Sequence, residues 1–214
     1  MNNQRKAVAA HEAIKLVLNA GCGPFETDRL HPVFRGSEWR QIRLDIDERV
    51  APDIVGSILD LNQVSNASCD AIFCSHNLEH LHTHEVPSAI FEFRRVLNPR
   101  GFALITCPDL EEVAHLILEG GIEKTAYQSP AGPITALDMI FGHSASIQLG
   151  NQFMAHNTGF TIERLGRVLI EGGFSEALVA KGAGYNLWAL ALMPQADKDS
   201  IVALMQKNSL DFSA

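Results

Sequence analysis

The chain has 214 residues, 46% hydrophobic and 20% charged, and 17 basic against 25 acidic side chains give a formal net charge of -8. That size and composition fit one domain with a sizeable core, residues 1–214, and the acidic balance with no Lys/Arg cluster excludes a nucleic-acid phosphate backbone as expected partner. No apolar run approaches the ~20 residues of a membrane span, no signal-peptide core follows Met1–Lys6, and the four cysteines lack paired spacing, so a cytoplasmic protein with reduced thiols and no membrane contact is expected.

Residues 4–13 favour helix, and Ile14 to Ala20 forms the first strand. Gln41 to Leu44 is a second short strand and Ile54 to Leu59 a third. Ala71 to Ser75 is an apolar run between Asp70 and His76, the pattern of a strand buried on both faces. Val86, Ala89, Ile90, Phe93, Val96 and Leu97 then share one helical face, which Asn98-Pro99-Arg100-Gly101 terminates. A fifth strand runs from Phe102 to Thr106, and a helix from Asp109 to Glu119. Residues 120–160 are mixed, with Ser129-Pro130-Ala131-Gly132-Pro133 breaking any long element, and an insertion of that length in a compact domain reads as a lid or substrate loop. Ile162, Leu165, Val168 and Leu169 restore a helix that Gly172-Gly173 stops. Phe174 to Ala180 and Asn186 to Met193 are joined by Gly182-Ala183-Gly184, short enough for an antiparallel hairpin. Beyond Pro194 a surface helix without assignable role is expected. Alternating strands and helices predict an α/β, Rossmann-like three-layer sandwich with a mostly parallel sheet.

The first strand ends in Asn19-Ala20-Gly21-Cys22-Gly23, and Leu44-Asp45-Ile46 follows at the tip of the second. Glycine lets backbone press against a ligand where a side chain would collide. Asp45, an acceptor with two oxygens, can take both hydroxyls of a ribose. The pair therefore suits a nucleoside-bearing cofactor. A dinucleotide fingerprint needs a third glycine and a helix N-terminus for the pyrophosphate. Here Pro24-Phe25-Glu26-Thr27-Asp28 follows, with no third glycine and two acids that would oppose a diphosphate. S-adenosylmethionine carries no phosphate and fits the turn better. The terminal hairpin also argues against a nicotinamide-dependent oxidoreductase, whose sheet normally ends in another parallel unit. That oxidoreductase remains the alternative enzyme class, and a non-catalytic S-adenosylmethionine-binding module the alternative outside catalysis.

Cys69-Asp70-Ala71-Ile72-Phe73-Cys74-Ser75-His76-Asn77-Leu78-Glu79-His80-Leu81, followed by Phe93-Arg94-Arg95-Val96-Leu97-Asn98-Pro99-Arg100-Gly101-Phe102, resembles the class I S-adenosylmethionine-dependent methyltransferases, especially the type-11 branch. The resemblance implies a seven-stranded sheet with its last strand antiparallel, S-adenosylmethionine at the strand C-termini, S-adenosylhomocysteine as product, and methyl transfer to an acceptor held by the later loops. It places Gly21 and Gly23 under the methionine and ribose, Asp45 at the ribose hydroxyls, Asp60 and Leu61 at the adenine, Ser75 and His76 where the methionine passes, and His80 at the start of the helix beneath, with Asn19, Ala20, Cys22 and Ile46 completing the cofactor-binding set. Where the family more often has an acid before the glycine turn, this chain has Asn19-Ala20, and the helix that usually follows the turn is shortened.

The histidines at 76, 80, 82 and 84 invite a metal reading, but no cysteine or acidic pattern completes a ligand shell in the sequence, and no metal is expected. His156, and after it His143, are the candidate general bases of the insertion, since a neutral imidazole can take the proton of an acceptor hydroxyl. Alignment of the acceptor with the sulfonium methyl can carry much of the rate without a base. The expected acceptor is a small or sugar-like molecule with oxygen as nucleophile. Oligomeric state is not readable from the sequence.

Overall fold

The computed structural model describes residues 14–24 and 29–212. The chain runs β1 (Lys15–Ala20), β2 (Trp39–Asp45), β3 (Ile54–Val55) and β4 (Cys69–Ser75), then α1 (Val86–Val96), β5 (Leu97–Pro108) and α2 (Leu110–Gly120). The insertion follows as β6 (Thr125–Ser129), β7 (Gly132–Thr135), α3 (Ala136–Phe141) and α4 (Ser144–Gln148). The chain closes with α5 (Ile162–Glu171), β8 (Glu176–Lys181), β9 (Asn186–Leu192) and α6 (Lys198–Lys207). Seven strands form one sheet in the order β3-β2-β1-β4-β5-β9-β8, parallel from β3 through β5, with β9 antiparallel to both its neighbours. This is the three-layer, Rossmann-like architecture that the alternating pattern predicted.

Burial on both faces explains the unbroken apolar runs of the central strands. On one face Ile90 and Phe93 of α1 and Leu165 and Leu169 of α5 pack against Leu18, Ile72 and Ile105. The two helices approach so closely that a Cβ on Gly172 would lie 2.2 Å from Cγ2 of Ile90, and Gly173 (φ +93°) takes the left-handed conformation that ends α5. The other face is covered by Val33, by Phe34, whose ring stacks on Phe102 and tilts against Phe73, and by Ile201 and Met205 of α6.

Three expectations change, and a fourth falls where nothing tests it. The helix expected over residues 4–13 lies outside the described residues. β3 is only two residues long, because the chain leaves the sheet after Gly56 donates to Asp45 O and runs on in turns to Val64. Asn98–Gly101 does end α1, yet pairing resumes at once, with Leu97 opposite Cys69 and a register shift before Ala71. The C-terminal helix does more than lie at the surface: between β1 and β2 the described residues hold only the short 3-10 turn Pro32–Phe34 and no α-helix, and the apolar side of α6 completes the second layer.

The insertion is also more ordered than its sequence suggested. Ser129-Pro130-Ala131-Gly132 makes the β6–β7 turn, where the Ser129 hydroxyl accepts from Ala131 N–H and donates to Gly132 O. Ile134, Ala136 and Met139 form a small core against Val113 and Leu116 of α2. Thr135 and Asp138 form a capping box at the start of α3. Burial pushes the Asp138 carboxyl up, but hydrogen bonds from the side chains and backbone of Ser144 and Thr135 outweigh it and bring its pKa down to about 2. A depressed carboxylate stabilises above its unfolded pKa of ~3.9 and loses that contribution as pH falls through the folded value. Asp138→Asn is therefore expected to weaken the insertion by about 1–2 kcal/mol at pH 7. Hydrogen exchange over residues 136–148 should be faster than in the parent at pH 7 and should converge with it near pH 2; equal rates at pH 7 would remove this role.

Candidate active site

Ala20 is in register with Leu44 of β2 and with Cys74 of β4. Gly21, Asp45 and Ser75 therefore reach the C-terminal edge of the sheet side by side. The strand order reverses between β1 and β4, and connections that leave toward opposite faces open a crevice at that point.

Gly21 (φ +71°) and Gly23 (φ +63°) both adopt left-handed backbone, which only glycine takes without strain. Gly21 and Cys22 N–H donate to Leu44 O at 2.9 and 3.1 Å. Gly23 N–H donates to Oδ2 of Asp45 at 2.8 Å and Asp47 N–H to Oδ1 at 3.0 Å. One bond to each oxygen leaves each a further lone pair for a ligand hydroxyl. The Arg43 guanidinium fastens the turn from outside by donating to Gly23 O and Ala51 O, both at 2.7 Å. Asn19, Ala20 and Cys22 are buried, and burial pushes the Cys22 thiol up, in keeping with a packing role. Asn77 was missed by the sequence reading: its amide lies over the turn, where a Cβ on Gly21 would come within 1.9 Å of Nδ2. Beside Asp45, the half-exposed Ile46 joins Val55 and Phe153 of the insertion in lining a cavity of about 320 Å³, a size suited to a small ligand.

Asp60 is exposed and accepts from the backbone and side-chain amides of Asn62, each at 3.1 Å. Leu61 is buried, and its N–H donates to Glu92 at 2.8 Å. Arg95 holds the same turn through Leu61 O, Val64 O and Asn66, and its hydrogen bonds to Glu92 keep that carboxyl below its ordinary range. The Asp60–Leu61 corner is thus built from α1 and offers a ligand only outward-facing lone pairs.

Past Ser75 the chain turns sharply. His76 is a non-glycine residue at φ +49°, with its N–H on Thr106 O and its Nδ1 3.1 Å from Oε1 of Glu79. Glu79, part of the motif quoted from the sequence but given no site role there, is 1% exposed, and its Oε2 has no hydrogen-bond partner. Burial pushes this carboxyl up, but the His76 hydrogen bond and the nearby His76, His80 and His156 rings outweigh that and leave it below the ordinary range. His80 Nδ1 meets Ala155 O at 3.0 Å, and His156 Nδ1 meets Met139 O at 2.9 Å. The two rings stand edge to face, 4.9 Å apart. Burial lowers the pKa of His156. Asn157 and Thr158 N–H both donate to Glu79 O, so the end of the insertion is fastened to this turn. His143 lies apart, its Nδ1 2.7 Å from Ser146 Oγ. The sequence cluster of four histidines divides: His80 turns inward, while His82 and His84 stack on each other in solvent.

The site therefore combines a glycine cradle and an acceptor carboxylate with a histidine-rich wall contributed partly by the insertion. Residues 18–105 match the family model described as a methyltransferase domain. No curated protein sequence matches the chain. Among solved structures, a possible exported protein from Bordetella parapertussis aligns at 13% identity and TM-score 0.56, over 86% of this chain and 63% of its own, so this chain spans under two thirds of it. An S-adenosylmethionine-dependent methyltransferase from Thermotoga maritima, described as a possible histamine N-methyltransferase, aligns at 13% identity and TM-score 0.52, covering 84% and 82% of the two chains. One from Archaeoglobus fulgidus, with the same general description, aligns at 14% and 0.54, covering 85% and 87%. At such identities these likenesses concern the fold.

Proposed function

We propose that this class I S-adenosylmethionine-dependent methyltransferase moves the methyl group to an oxygen of a small or sugar-like acceptor bound beneath residues 125–158. The observation that carries this reading is the Asp45 carboxylate, fixed by Gly23 and Asp47 yet with a lone pair left on each oxygen, next to a glycine turn that bears no side chain of its own and is overlaid by the Asn77 amide. The residues suit the cofactor, which supplies an electrophilic methyl on a sulfonium. Asp45 holds the ribose hydroxyls, and Gly21 and Gly23 let the backbone lie against the methionine. Ser75 and His76 border the methyl end, with Ile46 beside Asp45 and Asp60 toward the adenine.

Bound there, the sulfonium would supply its methyl to the acceptor oxygen and depart as a neutral thioether carrying the carbon–sulfur bonding pair, so the residues need provide no acid. Alignment and exclusion of water by the insertion contribute most of the rate. Of the two lid histidines, His156 faces Glu79 and His80, while His143 is held through Nδ1 by Ser146 Oγ, which leaves its Nε2 to take the acceptor proton. His143→Ala is expected to lower kcat about 100-fold with S-adenosylhomocysteine affinity unchanged. An unchanged kcat would show that water takes the proton.

A panel of hydroxylated and aminated small molecules, assayed by S-adenosylhomocysteine release, tests the reading. Carbon NMR of the product should show a methoxy group. An N-methyl product would overturn the oxygen assignment, and a chain that binds the cofactor without turnover across the panel would favour a binding module.

A further inference from the structure

Glu79, His80 and His156 place ligand atoms within 4.8 Å of one another. The hydrogen bonds fix which atoms these rings present. A carbonyl oxygen only accepts, so the contacts to Ala155 O and Met139 O put the proton of each ring on Nδ1 and leave Nε2 with its lone pair. A carbonyl acceptor on the far ring nitrogen holds a metal-ligating imidazole in its tautomer and orientation. The third side chain is a carboxylate buried at 1% exposure whose Oε2 has no partner, a costly state for an ionised oxygen. Two imidazoles and one carboxylate whose ligand atoms gather within 4.8 Å of one another are a donor set for a first-row divalent cation.

We propose that Glu79 Oε2, His80 Nε2 and His156 Nε2 bind a divalent transition-metal cation at the acceptor side of the cleft. Metal–nitrogen and metal–oxygen bonds of ~2.0–2.2 Å need the three donors to draw together slightly. The insertion can supply that movement, since His156 rides on it while Glu79 and His80 sit in the 3-10 turn Leu78–His80 that follows β4. The cation's remaining coordination positions accept oxygen donors, so the acceptor class is one with adjacent hydroxyl or carbonyl oxygens, and coordination lowers the pKa of a bound hydroxyl. This acceptor class rests on the oxygen reading above; the cation site does not. It also gives His156 the role of ligand and leaves proton transfer to His143.

Chelator-treated full-length protein, titrated calorimetrically with Zn²⁺ and separately with Mn²⁺, should bind one equivalent. His156→Ala and His80→Ala should each weaken Zn²⁺ by ~100-fold or more, since outer-shell partners alone are worth ~10–100-fold. Cobalt(II) should develop visible ligand-field bands in the parent and lose them in both variants. The His82→Ala/His84→Ala double variant should bind as the parent does. S-adenosylhomocysteine titration of every sample monitors folding and the cofactor site, so loss of the cation with the nucleoside retained isolates this proposal. No binding by the parent, or binding abolished only by the His82/His84 change, would overturn it.

Discussion

Replacing Asp45 by alanine is expected to weaken S-adenosylhomocysteine binding by ~100-fold or more. Two charge-assisted hydrogen bonds to ribose hydroxyls are lost, each worth ~1.5–3 kcal/mol. A second effect acts in the same direction. Gly23 N–H and Asp47 N–H both lose their acceptor, so the glycine turn and the bend after β2 are released from each other. Asp45→Asn keeps one acceptor oxygen and should fall between parent and alanine. If Asp45→Ala bound the nucleoside as tightly as the parent, the ribose would lie elsewhere.

Gly21→Ala should be nearly as damaging by a different route. Its φ of +71° costs an alanine ~1–2 kcal/mol, and the new methyl would meet Asn77 Nδ2 at 1.9 Å. The amide can swing away, but the methyl then stands on the floor where the methionine is expected to lie. We expect a loss of ~2–8 °C in Tm and at least 10-fold weaker S-adenosylhomocysteine binding. The double variant Gly21→Ala/Asn77→Ala separates the two causes. Removing the amide should recover part of the stability and little of the affinity. Full recovery of both would mean that the collision alone mattered and that the turn does not touch the cofactor.

The core sheet was legible because its signals are local: β4 is an apolar run between polar ends, α1 shows one apolar face, and Gly182–Gly184 permits only a hairpin. The C-terminal helix was misread because Ile201 and Met205 have a burial site only once the short 29–38 connection has left one open. The insertion was opaque because Thr125–Ser129 has no apolar alternation, and its order comes from Val113 and Leu116 of a neighbouring helix. Asp45 and the glycines could be found because their geometry is encoded in adjacent residues. Glu79 could not, because its significance depends on His156, 77 positions away, arriving through the fold. Its flanking Leu78 and Leu81 were the available hint that this acid is buried.

The central claim is that the crevice beside Gly21 and Asp45 holds S-adenosylmethionine. Calorimetric titration of the purified protein with S-adenosylhomocysteine, with NADH in parallel, tests it most directly. One-to-one, micromolar binding of S-adenosylhomocysteine and none of NADH is the predicted result. Preference for NADH, or no binding of either, would contradict it.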